Sequence, residues 1–119
     1  MRLSRERFEE LVFDIAEEVM AKLPDDLRAE AATVMLDIAD RPPNDDPDLL
    51  GLYEGVPLVE RGADDFRLQP DRITLYYLPL LAASRNEDEL RHEIRVTLIH
   101  ELGHFFGFNE DELEQRGWA

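Results

Sequence analysis

The sequence predicts an α+β fold in which short strands lie between an N-terminal helix and a long helix near the C-terminus. Apolar residues recur at helical spacing after Ser4 and again after Asn86. Between these stretches, residues 32–40 alternate apolar and polar side chains, and residues 72–78 are rich in β-branched and aromatic side chains, as strands are. A chain of 119 residues is long enough for one hydrophobic core, so we expect a single domain over residues 1–119.

The N-terminal helix is expected to follow Ser4, which suits the N-cap position, and to end at Pro24. A loop is expected at 41–48, where prolines and acidic residues cluster, and a short extended segment at 49–62. Pro79 is expected to end the second strand. The predicted apolar face of the helix consists of Phe8, Leu11, Val12, Ile15, Ala16, Val19 and Leu23.

The long helix contains the residues of chemical interest. Asn86 and Glu89 have the spacing of a capping box, which marks its start, and Gly107 suits its C-terminal end. Asn109 and Glu112 repeat the capping-box spacing, which predicts a short C-terminal helix. The apolar face of the long helix consists of Leu90, Ile94, Leu98, Leu102 and Phe105.

The chain is strongly acidic, with 28 acidic against 13 basic side chains and a formal net charge of -15. This charge repels phosphate backbones, so nucleic acid is not expected as a partner. Cysteine is absent, so a metal site must use nitrogen and oxygen ligands. The first residues show no apolar signal segment, and no apolar stretch approaches the roughly 20 residues that span a bilayer. We therefore expect a cytoplasmic protein without a membrane partner.

The strongest chemical signal is the sequence H-E-L-G-H at 100–104, an HExxH motif inside the long helix. Residues four apart lie on one helical face, so His100 and His104 can bind the same tetrahedral ion. Zinc is the favoured metal, although nickel or cobalt would fit the same ligands. Glu101 lies beside the metal rather than on it, where it can act as general base on zinc-bound water. The motif predicts a zinc-dependent peptide or amide hydrolase.

The third ligand is expected from an acidic residue downstream, and three candidates follow the helix: Glu110, Asp111 and Glu114. Gly107 can reverse the chain after the second histidine, which returns position 110 toward the ion. If Asn109 caps the last helix, Glu110 occupies its first position. Asp111 then points about 100° around that helix, and Glu114 lies a turn further away. The spacing therefore favours Glu110, whose carboxylate is a suitable oxygen ligand.

Other residues give weaker signals. Gly103, in the middle of a helix, suits close approach by a neighbouring strand or by substrate backbone, although a helix also tolerates a single glycine. His92 lies about 12 Å along the helix from His100 and is expected on the surface. Trp118 is expected to dock the C-terminus onto the domain. Three tyrosines could donate a hydrogen bond to the reacting carbonyl oxygen or could pack in the core: Tyr53, Tyr76 and Tyr77.

Three segments carry a resemblance: LLGLYEGVPL at 49–58, RITLYYLPL at 72–80 and HEIRVTLIHELGHFFGFNEDELEQRGW at 92–118. They resemble the bacterial zincin-like metallopeptidase domains, also described as minimal metalloprotease-like or minimal gluzincin proteins. The resemblance implies a compact domain with a small mixed sheet of about three strands against the active-site helix. It also implies a peptide or protein substrate and a zinc site built on H-E-x-G-H, which residues 100–104 match.

Two other functions fit parts of the pattern. Some metal-dependent ribonucleases use H-x-x-x-H-x-x-G-x-x-H, which shares the histidine and glycine spacing, but Glu110 replaces the last histidine and the acidic charge opposes RNA binding. A non-catalytic domain could instead use the metal for stability and its acidic surface for protein interaction. Such a structural site would gain nothing from Glu101 beside an open metal position.

Overall fold

The computed structural model describes residues 1–61 and 70–116 of the chain. Within these residues the fold is α+β, as the sequence predicts, with five α-helices and one three-stranded sheet. The elements in chain order are α1 Arg5–Lys22, α2 Asp25–Ala31, β1 Met35–Ala39, β2 Gly51–Glu54, a 3-10 turn at Leu58–Glu60, β3 Arg72–Tyr76, α3 Tyr77–Ala82, α4 Glu87–Phe106 and α5 Glu110–Gln115.

The sheet is mixed and has β3 at its centre. β1 pairs with β3 in parallel, and β2 pairs with β3 antiparallel on the other side. α4 packs against β2 and β3, and α1 packs against α4. The small mixed sheet therefore lies against the long helix, as the family resemblance implies, and the edge strand β2 borders the motif.

The start and end of α4 follow from its caps. The Asn86 side chain accepts a hydrogen bond from the Glu89 N–H at 2.9 Å, but the Glu89 carboxylate accepts from the Arg85 N–H, so only half of the predicted capping box forms. Gly107 ends the helix in the left-handed conformation, with φ of 85°. All five residues of the predicted apolar face are buried: Leu90, Ile94, Leu98, Leu102 and Phe105.

Two short helices, α2 and α3, were not expected. α1 begins after its N-cap Ser4, as predicted, and ends at Lys22, but α2 follows directly after Pro24. Two aspartates in the first turn of α2 favour a helix start because the helix dipole is positive there. Arg28 joins the two helices, since its guanidinium donates to the carbonyls of Met20 and Leu23.

The expected role of Pro79 was wrong. β3 ends at Tyr76, and Pro79 lies in the first turn of α3. Backbone N–H groups in a first turn have no acceptor within the helix, so proline costs no hydrogen bond there. The expected docking of Trp118 lies outside the described residues. None of the helices described here is long and apolar enough to cross a membrane.

Candidate metal centre

The two motif histidines share one face of α4. Their ring centroids are 4.6 Å apart, and both side chains are partly open to solvent. The opposite face of the helix is buried in the core, which fixes the direction in which the histidines point. His92, on the same helix, is exposed, as predicted.

Glu110, the first residue of α5, turns back toward both histidines. Its Oε1 atom lies 3.4 Å from Nε2 of His100 and 3.6 Å from Nε2 of His104. A tetrahedral ion with bonds of about 2.0–2.2 Å separates its ligand atoms by about 3.3–3.6 Å. Each of these two nitrogen–oxygen distances therefore lies in the range that separates two ligands of one zinc ion.

Glu101 approaches the histidines from a different side. Its carboxylate is buried; Oε1 lies 3.4 Å from Nδ1 of His104 and accepts a hydrogen bond of 2.9 Å from the Tyr53 N–H. Donor atoms of His100, Glu101 and His104 also lie within 4.8 Å of one another, so Glu101 is a second geometric candidate for the third ligand. Among the described residues, only Glu101 and Glu110 place a carboxylate within 4.0 Å of these imidazoles.

A tight contact between α4 and α5 determines where Glu110 lies. The Cδ2 atom of Leu113, a fully buried residue, is 2.1 Å from the position that a Cβ at Gly103 would occupy. The Phe108 N–H donates to the Gly103 carbonyl at 2.9 Å. Of the two interpretations of Gly103, close approach and simple tolerance of a glycine, the structure shows close approach, and the neighbour is the Leu113 side chain of the last helix rather than a strand.

The turn into α5 is also specified locally. Gly107 adopts the left-handed conformation, and the predicted capping box forms in full. Asn109 accepts from the Glu112 N–H at 2.8 Å, and the Glu112 carboxylate accepts from the Asn109 N–H at 3.3 Å. Glu112 is thereby engaged at the cap, and Glu110 occupies the first helical position beside the histidines.

The three candidate tyrosines have separate roles in the fold. The Tyr77 hydroxyl donates to the Leu3 carbonyl, which ties α3 to the N-terminal segment. Burial raises the pKa of the Tyr76 phenol, and the carboxylates of Glu54 and Glu101 raise it further. The Tyr53 ring packs edge-on against Phe105 at 5.9 Å. The contribution of Tyr53 to the site is its backbone N–H, which no residue pattern in the sequence could reveal.

The sequence of the chain matches a known protein family. A family model described as zincin-like metallopeptidase matches residues 26–118, a range that includes every residue of the candidate centre. No curated protein matches the chain.

Proposed function

Because the chain belongs to the zincin-like metallopeptidase family, we propose that it hydrolyses peptide bonds with a zinc ion held by His100, His104 and Glu110. Glu101 is the general base in this proposal. The observation that supports it most strongly is the distance of Glu110 Oε1 from the two Nε2 atoms, 3.4 and 3.6 Å, which is the ligand spacing of a tetrahedral zinc site.

The choice between Glu110 and Glu101 as third ligand follows from the atoms that lie next to each carboxylate oxygen. Glu110 Oε1 lies near the Nε2 atoms of both histidines, at separations that two ligands of one zinc ion would have. The Glu101 oxygen instead lies beside Nδ1 of His104 and already accepts a hydrogen bond from Tyr53. In this proposal Glu101 is therefore not a ligand but lies beside the ligands, which is the position that a general base requires.

The chemistry divides between the metal and the protein. Zinc, when bound, polarises the substrate carbonyl and lowers the pKa of water to about 7. Glu101 accepts the proton of the water that attacks the carbonyl carbon, and it returns this proton to the amide nitrogen as the carbon–nitrogen bond breaks. The Tyr53 N–H restrains the Glu101 carboxylate and so orients it for both transfers.

The location of the centre also supports a peptide substrate. The side chains of His100, His104 and Glu110 are 31%, 41% and 68% exposed, so a polypeptide can reach the metal without opening the fold. The side chain of Glu101, by contrast, is only 10% exposed. A carboxylate buried beside an open ligand position favours catalysis over a purely structural metal site, which has no use for it.

The test is hydrolysis of a mixed peptide library by the zinc-loaded protein and by the Glu101→Gln variant, with zinc content measured on the same samples. The variant should retain zinc and lose at least about a hundredfold in rate, the lower end for a general base. Glu114→Gln is the matched control and should retain both properties. Wild-type activity in Glu101→Gln, or zinc loss from it, would contradict the assigned role.

A further inference from the structure

A cavity of about 260 Å³ lies where α1, α4 and the end of α5 meet, and it shares no residue with the proposed metal centre. Its apolar lining is largely buried, and its charged residues lie mostly toward solvent. The apolar lining consists of Val19, Leu23, Ile99 and Leu102, and the charged residues are Glu18, Lys22, Arg95 and Arg116.

The charges at this cavity differ from those on the rest of the protein. Glu18 pairs with Arg95 at 2.8 Å, which neutralises both. Lys22 has no carboxylate within 4.0 Å among residues 1–61 and 70–116, and neither has Arg116, whose guanidinium lies 4.0 Å over the Phe108 ring. In the same part of the chain most other arginines are paired with carboxylates: Arg5, Arg7, Arg28, Arg61, Arg72, Arg85 and Arg91. The cavity is therefore a positive site on a chain of net charge -15.

We propose that this cavity binds a small amphipathic carboxylate, with its apolar body on the lining and its carboxylate at Lys22 and Arg116. Ammonium and guanidinium groups bind carboxylates through charge-assisted hydrogen bonds. Pockets for drug-sized ligands begin at roughly 300 Å³, so a cavity of about 260 Å³ suits a small ligand. The negative field of the whole chain opposes ligands of higher negative charge.

The experiment is a calorimetric titration of the full chain with octanoate, with acetate and octylamine as probes that lack the apolar body or the negative charge. Octanoate should bind saturably, and acetate and octylamine should bind at least tenfold more weakly. The double variant Lys22→Gln, Arg116→Gln should lose at least tenfold in octanoate affinity. The single variant Lys22→Gln should lose part of this affinity with zinc content unchanged, because Lys22 lies on α1 and contributes nothing to α5 or to the metal centre.

Arg41→Gln is the matched control, since Arg41 is exposed in the loop after β1 and is likewise without a carboxylate partner in the described residues. It should bind octanoate as the wild type does. No saturable octanoate binding would overturn the proposal. The proposal would also be overturned if octylamine bound as tightly as octanoate, or if Arg41→Gln lost as much octanoate affinity as the double variant. Either result would mean that Lys22 and Arg116 do not recognise the carboxylate.

Discussion

α4 and α5 both contribute to the proposed metal centre, but very different amounts of structure hold them in place. α4 has 20 residues, of which nine are buried. α5 has six residues, of which only Leu113 is buried. The histidines and the proposed general base are therefore held by a helix that is anchored in the core, whereas the proposed third ligand depends on a turn, a capping box and one close contact.

This difference separates global stability from metal affinity. Changes that disturb α4 should alter the free energy of unfolding of the whole domain. Changes that disturb α5 should mainly alter how well Glu110 meets the ion, because few other contacts depend on that helix. Matched substitutions in the two helices test this separation of stability from metal affinity.

The largest effect on zinc binding is expected when either of the two proposed ligands on α4 is replaced. His100→Ala or His104→Ala should abolish zinc binding and with it the stabilisation that zinc gives, about 2.7 kcal/mol at a free zinc concentration 100 times the dissociation constant. Thermal unfolding with and without zinc measures this. His92→Ala, on an exposed position of the same helix, should keep the full zinc effect. Full zinc occupancy in either of the first two variants would refute the ligand assignment.

A smaller effect is expected at the contact between the two helices. Gly103→Ala places a methyl group against Leu113, which should displace α5 and weaken zinc binding about tenfold or more, as for residues that orient metal ligands. The double variant Gly103→Ala, Leu113→Ala should recover part of that loss, because the shorter side chain leaves room for the methyl. Zinc affinity of the single and double variants, by chelator competition, tests this. Unchanged affinity in Gly103→Ala would show that Glu110 does not depend on the contact.

The smallest effect, and the sharpest comparison, is expected at the two asparagine caps. Asn86→Ala and Asn109→Ala each remove an N-cap, a loss of about 1 kcal/mol. In Asn109→Ala the loss should appear as a few-fold weaker zinc affinity. In Asn86→Ala it should appear in the free energy of unfolding, with zinc affinity unchanged. Equal changes of zinc affinity in both variants would mean that the helices are not held as differently as their burial suggests.

The parts of this structure that the sequence predicts are those determined by local periodicity. The apolar face of α4, its left-handed glycine end and the capping box at Asn109 each depend on residues within a few positions of one another. The HExxH motif belongs to the same class, since helical spacing alone brings His100 and His104 together.

The parts that were missed depend on which elements meet. One of these is the contact between Leu113 and Gly103, which lie on different helices. The other is the hydrogen bond from the Tyr53 N–H to Glu101, whose residues are 48 positions apart in the chain. The short helices α2 and α3 were missed because proline was interpreted as an end of structure. Both prolines instead stand at or near a helix start, where the missing N–H costs no intrahelical hydrogen bond.

The most direct test of the proposed centre is the zinc dissociation constant of three variants, Glu110→Ala, Asp111→Ala and Glu114→Ala, measured by competition with a chelator. Of these three residues, only Glu110 has a carboxylate oxygen within 4.0 Å of both histidine side chains. Glu110→Ala should therefore weaken zinc binding by more than about tenfold, and the other two should stay within about twofold of the wild type. The largest loss in Asp111→Ala or Glu114→Ala, or wild-type affinity in Glu110→Ala, would contradict the proposed ligand set.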